Sequence, residues 1–95
     1  MKNNTPKGII GIFTNPKGDV IATATIFDPI PQWQQESLAR MRLAVEVARA
    51  YCAPDYARAI STHTSEAIMN DMQRTKGFTI TMVPVGYNDN EKEEE

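Results

Sequence analysis

The stretch Gln32-Trp33-Gln34-Gln35-Glu36-Ser37-Leu38-Ala39-Arg40-Met41-Arg42-Leu43-Ala44-Val45-Glu46-Val47-Ala48-Arg49-Ala50-Tyr51-Cys52 decides the fold. Leu38, Met41, Val45, Ala48 and Cys52 recur at helical spacing, with Leu43, Val47 and Tyr51 on an adjoining stripe. Arg42, Glu46 and Arg49 share the polar side, and Glu36 stands four residues before Arg40, a favourable helical pair. Residues 32–52 therefore read as a long amphipathic helix on which the rest of the chain packs. Its apolar surface is wider than one contact with a sheet needs. Leu43, Val47 and Tyr51 must meet either a second helix or another chain. Trp33, in the first turn, is either a lid on the core or an exposed contact.

Upstream, residues 8–13 (Gly-Ile-Ile-Gly-Ile-Phe) form a β-branched run suited to a strand. They end at Thr14-Asn15-Pro16-Lys17-Gly18-Asp19, which is dense turn chemistry. Residues 20–27 return with alternation: Ala22, Ala24 and Ile26 on one face, Thr23, Thr25 and Phe27 on the other. Strand, turn and strand make a hairpin. Asp28-Pro29-Ile30-Pro31 stops the second strand, since proline cannot donate to a ladder, and places Pro31 at the helix start.

Downstream, residues 56–62 can be read two ways. Pro54 and Asp55 would open a helix, whereas Ala57, Ala59 and Ser61 alternate with Tyr56, Arg58 and Ile60 as in a strand. A further helix is expected from Thr64 or Ser65, with a hydroxyl N-cap and Gly77 at its end. Residues 78–85 are a last strand, Phe78, Ile80 and Met82 alternating with Thr79, Thr81 and Val83. The expected class is α+β: a small domain with an N-terminal hairpin, a long helix, then β-α-β, with helices on one face of a mainly antiparallel sheet. The preferred order is β-β-α-β-α-β, and the alternative is β-β-α-α-β.

Ninety-five residues suit one domain, here residues 8–87, between a flexible N-terminus, 1–7, and an acidic disordered tail, 88–95. The tail holds five acids and one base, a net of −4, and leaves residues 1–87 at +2. A body so near neutral lacks the basic face that phosphate-backbone binding demands, which argues against nucleic acid as a partner. Cys52 is the only cysteine, so no intrachain disulfide forms, in keeping with a reducing compartment. The apolar run at residues 9–13 is too short for a signal peptide or a membrane span. The expectation is a cytoplasmic protein.

Three groups of residues could carry function. Thr62, His63, Thr64 and Ser65 would lie where a strand ends and a helix begins, a place suited to an anion. A hydroxyl cluster before a helix is first of all a cap, and no glycine-rich loop or lysine accompanies it. Catalysis lacks equipment: with one histidine the only nucleophile candidates are Ser61 or Ser65 beside His63, neighbours in sequence that rarely reach the needed geometry. A metal site would need His63 to recruit Asp55, Glu66 or Asp71, a weak signal. Thr23, Thr25, Thr79 and Thr81 suggest a sheet with one polar face, shared by Ile21, Phe27 and Val83, open to solvent or to another protein. Candidate interface residues are Trp33, Leu43, Val47, Tyr51, Phe27, Thr79 and Thr81.

The reading is a non-enzymatic domain without cofactor or metal that binds another protein. It would serve as an accessory, adaptor or inhibitor of a larger assembly, with a homo-oligomer as an option. In size and acidic tail it resembles small accessory proteins of phages and mobile elements, a likeness of style carried by no motif. Two alternatives are a small-molecule or nucleotide-binding domain using residues 61–65, and a DNA-mimic inhibitor using the tail.

Overall fold

The structure, a computed structural model, describes residues 6–87. The N-terminal residues 1–5 and the acidic tail 88–95, each expected to be loosely ordered, lie outside the described residues. The chain runs β1 (Pro6–Thr14), β2 (Val20–Ile26), α1 (Gln32–Tyr51), α2 (Pro54–Ala59), α3 (Thr62–Lys76) and β3 (Thr79–Tyr87). The strands form one antiparallel sheet in the order β2-β1-β3, so the first strand of the chain is the central one.

This is the α+β class expected, with a different order after α1. Residues 56–62 form no strand, and the observed order, β-β-α-α-α-β, has one helix more than the β-β-α-α-β alternative. Pro54 in the first turn presets helical φ, Asp55 adds a favourable charge at the same end, and six residues coil into α2. Ile60 then turns extended, and the Ser61 hydroxyl accepts the Thr64 N–H at 3.1 Å to start α3. The third helix therefore opens at Thr62, earlier than Thr64 or Ser65. It ends at Gly77, whose φ of 76° suits a residue without a Cβ. At the other end of the chain, Lys7 belongs to β1 and not to a loose N-terminus.

The β1–β2 turn is closed by one side chain. Asn15 Oδ1 accepts the N–H groups of Lys17 at 3.0 Å and Asp19 at 2.9 Å, while the Asn15 carbonyl accepts that of Gly18. The loop leaves one extra residue on β2: Phe13 opposes Ala22 but Thr14 opposes Val20. Ile21, expected on the threonine side, falls at this bulge and packs against the core.

Beyond the bulge, Ile9, Gly11 and Phe13 face the helices beside Ala22, Ala24 and Ile26 on β2 and Ile80 and Met82 on β3. α1 buries Ala39, Leu43, Ala44, Val47 and Ala48: Leu43 and Val47 of the adjoining stripe and Ala48 of the main row are in the core, while Leu38, Met41 and Val45 are half-buried and Tyr51 is exposed. Leu43 reaches over Gly11 beside Met82, while Ala44 shares the cluster of Phe13 and Ala24, and Ala39 that of Ile9 and Ile26. Leu43 and Val47 are fully buried and belong to the core. Their burial removes them from the candidate interface.

From α3, Met69 and Met72 complete this cluster, and Arg40 of α1 hydrogen-bonds Asn70 of α3 instead of pairing with Glu36. At the far end of α1, Phe78 stacks on Phe13 at 5.1 Å and takes the edge of Tyr51 at 5.9 Å. The near end is held by a polar latch. Gln35 is buried, and its amide donates to the carbonyl of Asp28 at 3.0 Å and to that of Lys7 at 3.3 Å. One side chain thus ties the start of α1 to β1 and to the connection that leads out of β2.

Two substitutions separate these terms. Leu43→Ala should cost about 2–5 kcal/mol through lost burial and a cavity. Gln35→Ala should cost about 1–3 kcal/mol, because two carbonyls lose their donor. Urea unfolding followed by circular dichroism measures both, and a loss below about 0.5 kcal/mol at either site would contradict its assigned role.

Candidate functional site

The face of the sheet turned away from the helices carries Ile10, Ile12 and Thr14 on β1, Thr23 and Thr25 on β2, and Thr79, Thr81, Val83 and Val85 on β3. Register sets Ile10 between Thr25 and Val83, and Ile12 between Thr23 and Thr81. The isoleucines and valines form a central aliphatic band, half-buried by their neighbours, and the threonines stand exposed around it. Thr14 and Thr79 hydrogen-bond across the β1–β3 pair through their hydroxyls. None of these residues is charged, in a chain whose residues are 23% charged. An antiparallel face given to water is ordinarily polar and charged, so the composition here resembles the centre of an interface.

Phe27 extends the band at one end. It is 60% exposed, and its ring lies across Gly8 of β1. A Cβ on Gly8 would collide with the Phe27 ring and with the Ile26 carbonyl oxygen. The glycine is what allows an aromatic ring to cover the strand there.

A second feature lies along the free edge of β2. Between that edge and α1 run two adjoining hollows of about 360 Å³ and about 430 Å³, which share Thr23, Glu46 and Arg49. Arg42 and Val45 line one end and Ala50 the other. Glu46 holds Arg49 at 2.8 Å, while Arg42 makes no hydrogen bond or ion pair among the described residues.

The other candidates are scattered. Trp33 is 67% exposed on the first turn of α1, so it is no lid on the core. Tyr51 is 48% exposed, with its ring edge on Phe78. Thr62 and His63 are exposed in the first turn of α3, whereas Ser65 is buried. Thr64 lines a groove together with Tyr51, Cys52, Ile68 and Met72. The four residues proposed for a ligand therefore do not converge, and no strand ends beside them. Among the described residues no three His, Cys, Asp or Glu side chains gather as a metal site, and no helix is long and apolar enough to cross a membrane.

Ile10 and Ile12, the middle of the open face, and Val85 beside them on β3 are missing from the candidates read from sequence, as are Arg42 and Val45. The signal for the isoleucines was present: a strand with Ile9 and Phe13 on one side and Ile10 and Ile12 on the other is apolar on both faces.

Comparison of the chain with family models, with curated proteins and with solved structures gives no match. The geometry of the two surfaces alone carries the functional reading.

The Phe27–Gly8 contact has a direct test. Gly8→Ala should destabilise the fold by about 1–3 kcal/mol, because the Ile26 carbonyl cannot move away without breaking the β1–β2 ladder. Thermal melts of the variant measure this, and an unchanged melting temperature would show that the ring does not need the glycine.

Proposed function

We propose that the domain acts without catalysis, by binding another protein through the open face of its sheet, as an accessory, adaptor or inhibitor of a larger assembly. The observation that carries this reading is the uncharged aliphatic band Ile10–Ile12–Val83–Val85, rimmed by threonines and capped by Phe27, on the side of the sheet with no helix over it. Burial of such a band against a partner removes apolar area from water and strands no charge, and the threonine hydroxyls keep the face soluble when it is free. The partner surface that fits is likewise flat, aliphatic and uncharged at its centre.

The test places a charge in the band without touching the core. Thr81→Lys, on an exposed position, and Ile12→Lys, at the centre, should both keep a cooperative melt. Each should weaken capture of the partner by at least about tenfold, because a buried unpaired ammonium is costly. Arg58→Glu on α2 serves as the control, since Arg58 lies on a different element and pairs only with Asp55 at the surface. Quantitative affinity purification from the native host reads the outcome. A partner retained by both lysine variants would remove the open face from the reading.

A further inference from the structure

We propose that two copies of the chain pair antiparallel through the free edges of β2, forming a two-fold dimer with one continuous six-stranded sheet. The pairing rests on the β2 edge and α1; what the joined face then binds rests on the protein-binding reading above.

The two edges of the sheet are unlike. β3 carries Pro84, which has no N–H to donate, and Gly86 with a φ of 65°, and both interrupt a ladder. On β2, the residues Ala22, Thr23, Ala24, Thr25 and Ile26 include no proline, glycine or charge, and the bulge lies before them at the turn end. Natural sheets blunt exposed edges with such devices, and an edge without them accepts another strand.

A second copy is the occupant that the chemistry of the edge fits. Centred on Ala24, an antiparallel copy sets Thr23 against Thr25 of the second copy twice on the open face, a favourable cross-strand pair. On the helix side it sets Ala24 against its own equivalent, where only a small side chain has room. A two-fold axis makes each contact occur twice and matches the surface to itself.

The helices agree with this arrangement. α1 packs over both β1 and β2, as the contacts of Leu43 with Gly11 and the shared lining of Ala24 and Val45 show. With strands about 4.8 Å apart, an axis just outside β2 brings α1 and its copy to roughly 10 Å, the spacing of packed helices. The surfaces that meet are the groove walls, Arg42, Val45, Glu46 and Arg49. Run antiparallel, Arg42 comes within reach of Glu46 of the second copy, which its own Arg49 already holds. Each glutamate then lies between two arginines, and Arg42 gains a partner that it lacks among the described residues.

Area supplies the remaining reason. Three strands about 4.8 Å apart and seven residues long present a plane of roughly 300 Å². A standard interface takes about 800 Å² from each partner. Joining two sheets doubles the uncharged face and brings it near that size.

Sedimentation equilibrium of the full chain in the micromolar range should give twice the monomer mass. Arg42→Glu should raise the dimer dissociation constant by at least about tenfold. The full reversal Arg42→Glu, Glu46→Arg, Arg49→Glu should restore it, since the alternation is re-created with opposite sign. These side chains are on the surface, and circular dichroism reports that each variant is folded. Register is read by mixing Thr23→Cys and Thr25→Cys chains, each with Cys52→Ser, which should cross-link under mild oxidation. The monomer mass throughout would overturn the proposal, and so would a dimer that is indifferent to Arg42→Glu and fails to cross-link. A monomer that still captures a partner through Ile12 would overturn the dimer and leave the binding reading standing. A cross-linked dimer that captures nothing would do the reverse.

Discussion

The close contact between α1 and the sheet is the constraint on which the remaining structure depends. Leu43 stands over Gly11 beside Met82, Ala39 is buried with Ile9 and Ile26, and Ala44 is buried with Phe13 and Ala24. Leu43 and Val47 fill the middle, Phe13 and Phe78 close one end, and Gln35 fastens the other. All three helices follow β2 and precede β3, and the longest, α1, lies across β1 and β2. The last strand pairs on the far side of β1, and the second face of the sheet is left to its own side chains.

That second face is where fold and function meet. A domain of this size buries a modest fraction of its surface, and a band of isoleucine and valine held away from the core adds to the apolar area it exposes. Thr23, Thr25, Thr79 and Thr81 moderate this, because a threonine is β-branched like valine and still satisfies water. They also keep the strand propensity that lysine or glutamate would lower. The face is thus built for pairing with a surface like itself, and Phe27 over Gly8 sets an exposed aromatic ring at its margin. The surface ion pairs, Glu46–Arg49, Asp55–Arg58 and Asp71–Arg74, all join residues three apart on a helix and contribute little to stability.

Much of this was legible in local chemistry. The hairpin, the long helix and the last strand each carry a period and a stop signal that need no tertiary context: Asn15 to Gly18 for the turn, Gly77 for the end of α3, alternating threonines for β3. Residues 56–62 were misread because Ala57, Ala59 and Ser61 are small enough to fit either period, and the deciding terms were Pro54 and the Ser61 cap. The facing of α1 differs from the expected main row because Leu43 fills the space over Gly11 and Val47 follows it one turn on, which turns Leu38, Met41 and Val45 partly out of the core. Ile21 changed sides because of a bulge set by the turn, which an alternating pattern cannot register. The open face itself was half visible in its threonines, and the two central isoleucines were hidden by the assumption that an apolar strand is simply a buried one. The four residues 62–65 were placed correctly near a helix start, but a start capped by Ser61 and lacking a converging pocket reads as a fold signal.

Pro84 and Gly86 have a consequence for growth as well as for choice of edge. A sheet with two open edges can add chains without limit, each new strand exposing another like the one just covered. Here the two ends differ, and a chain joined through β2 presents only β3 to the outside. The ladder then terminates after one addition, so the same proline that weakens the last strand acts as a stop against fibre formation.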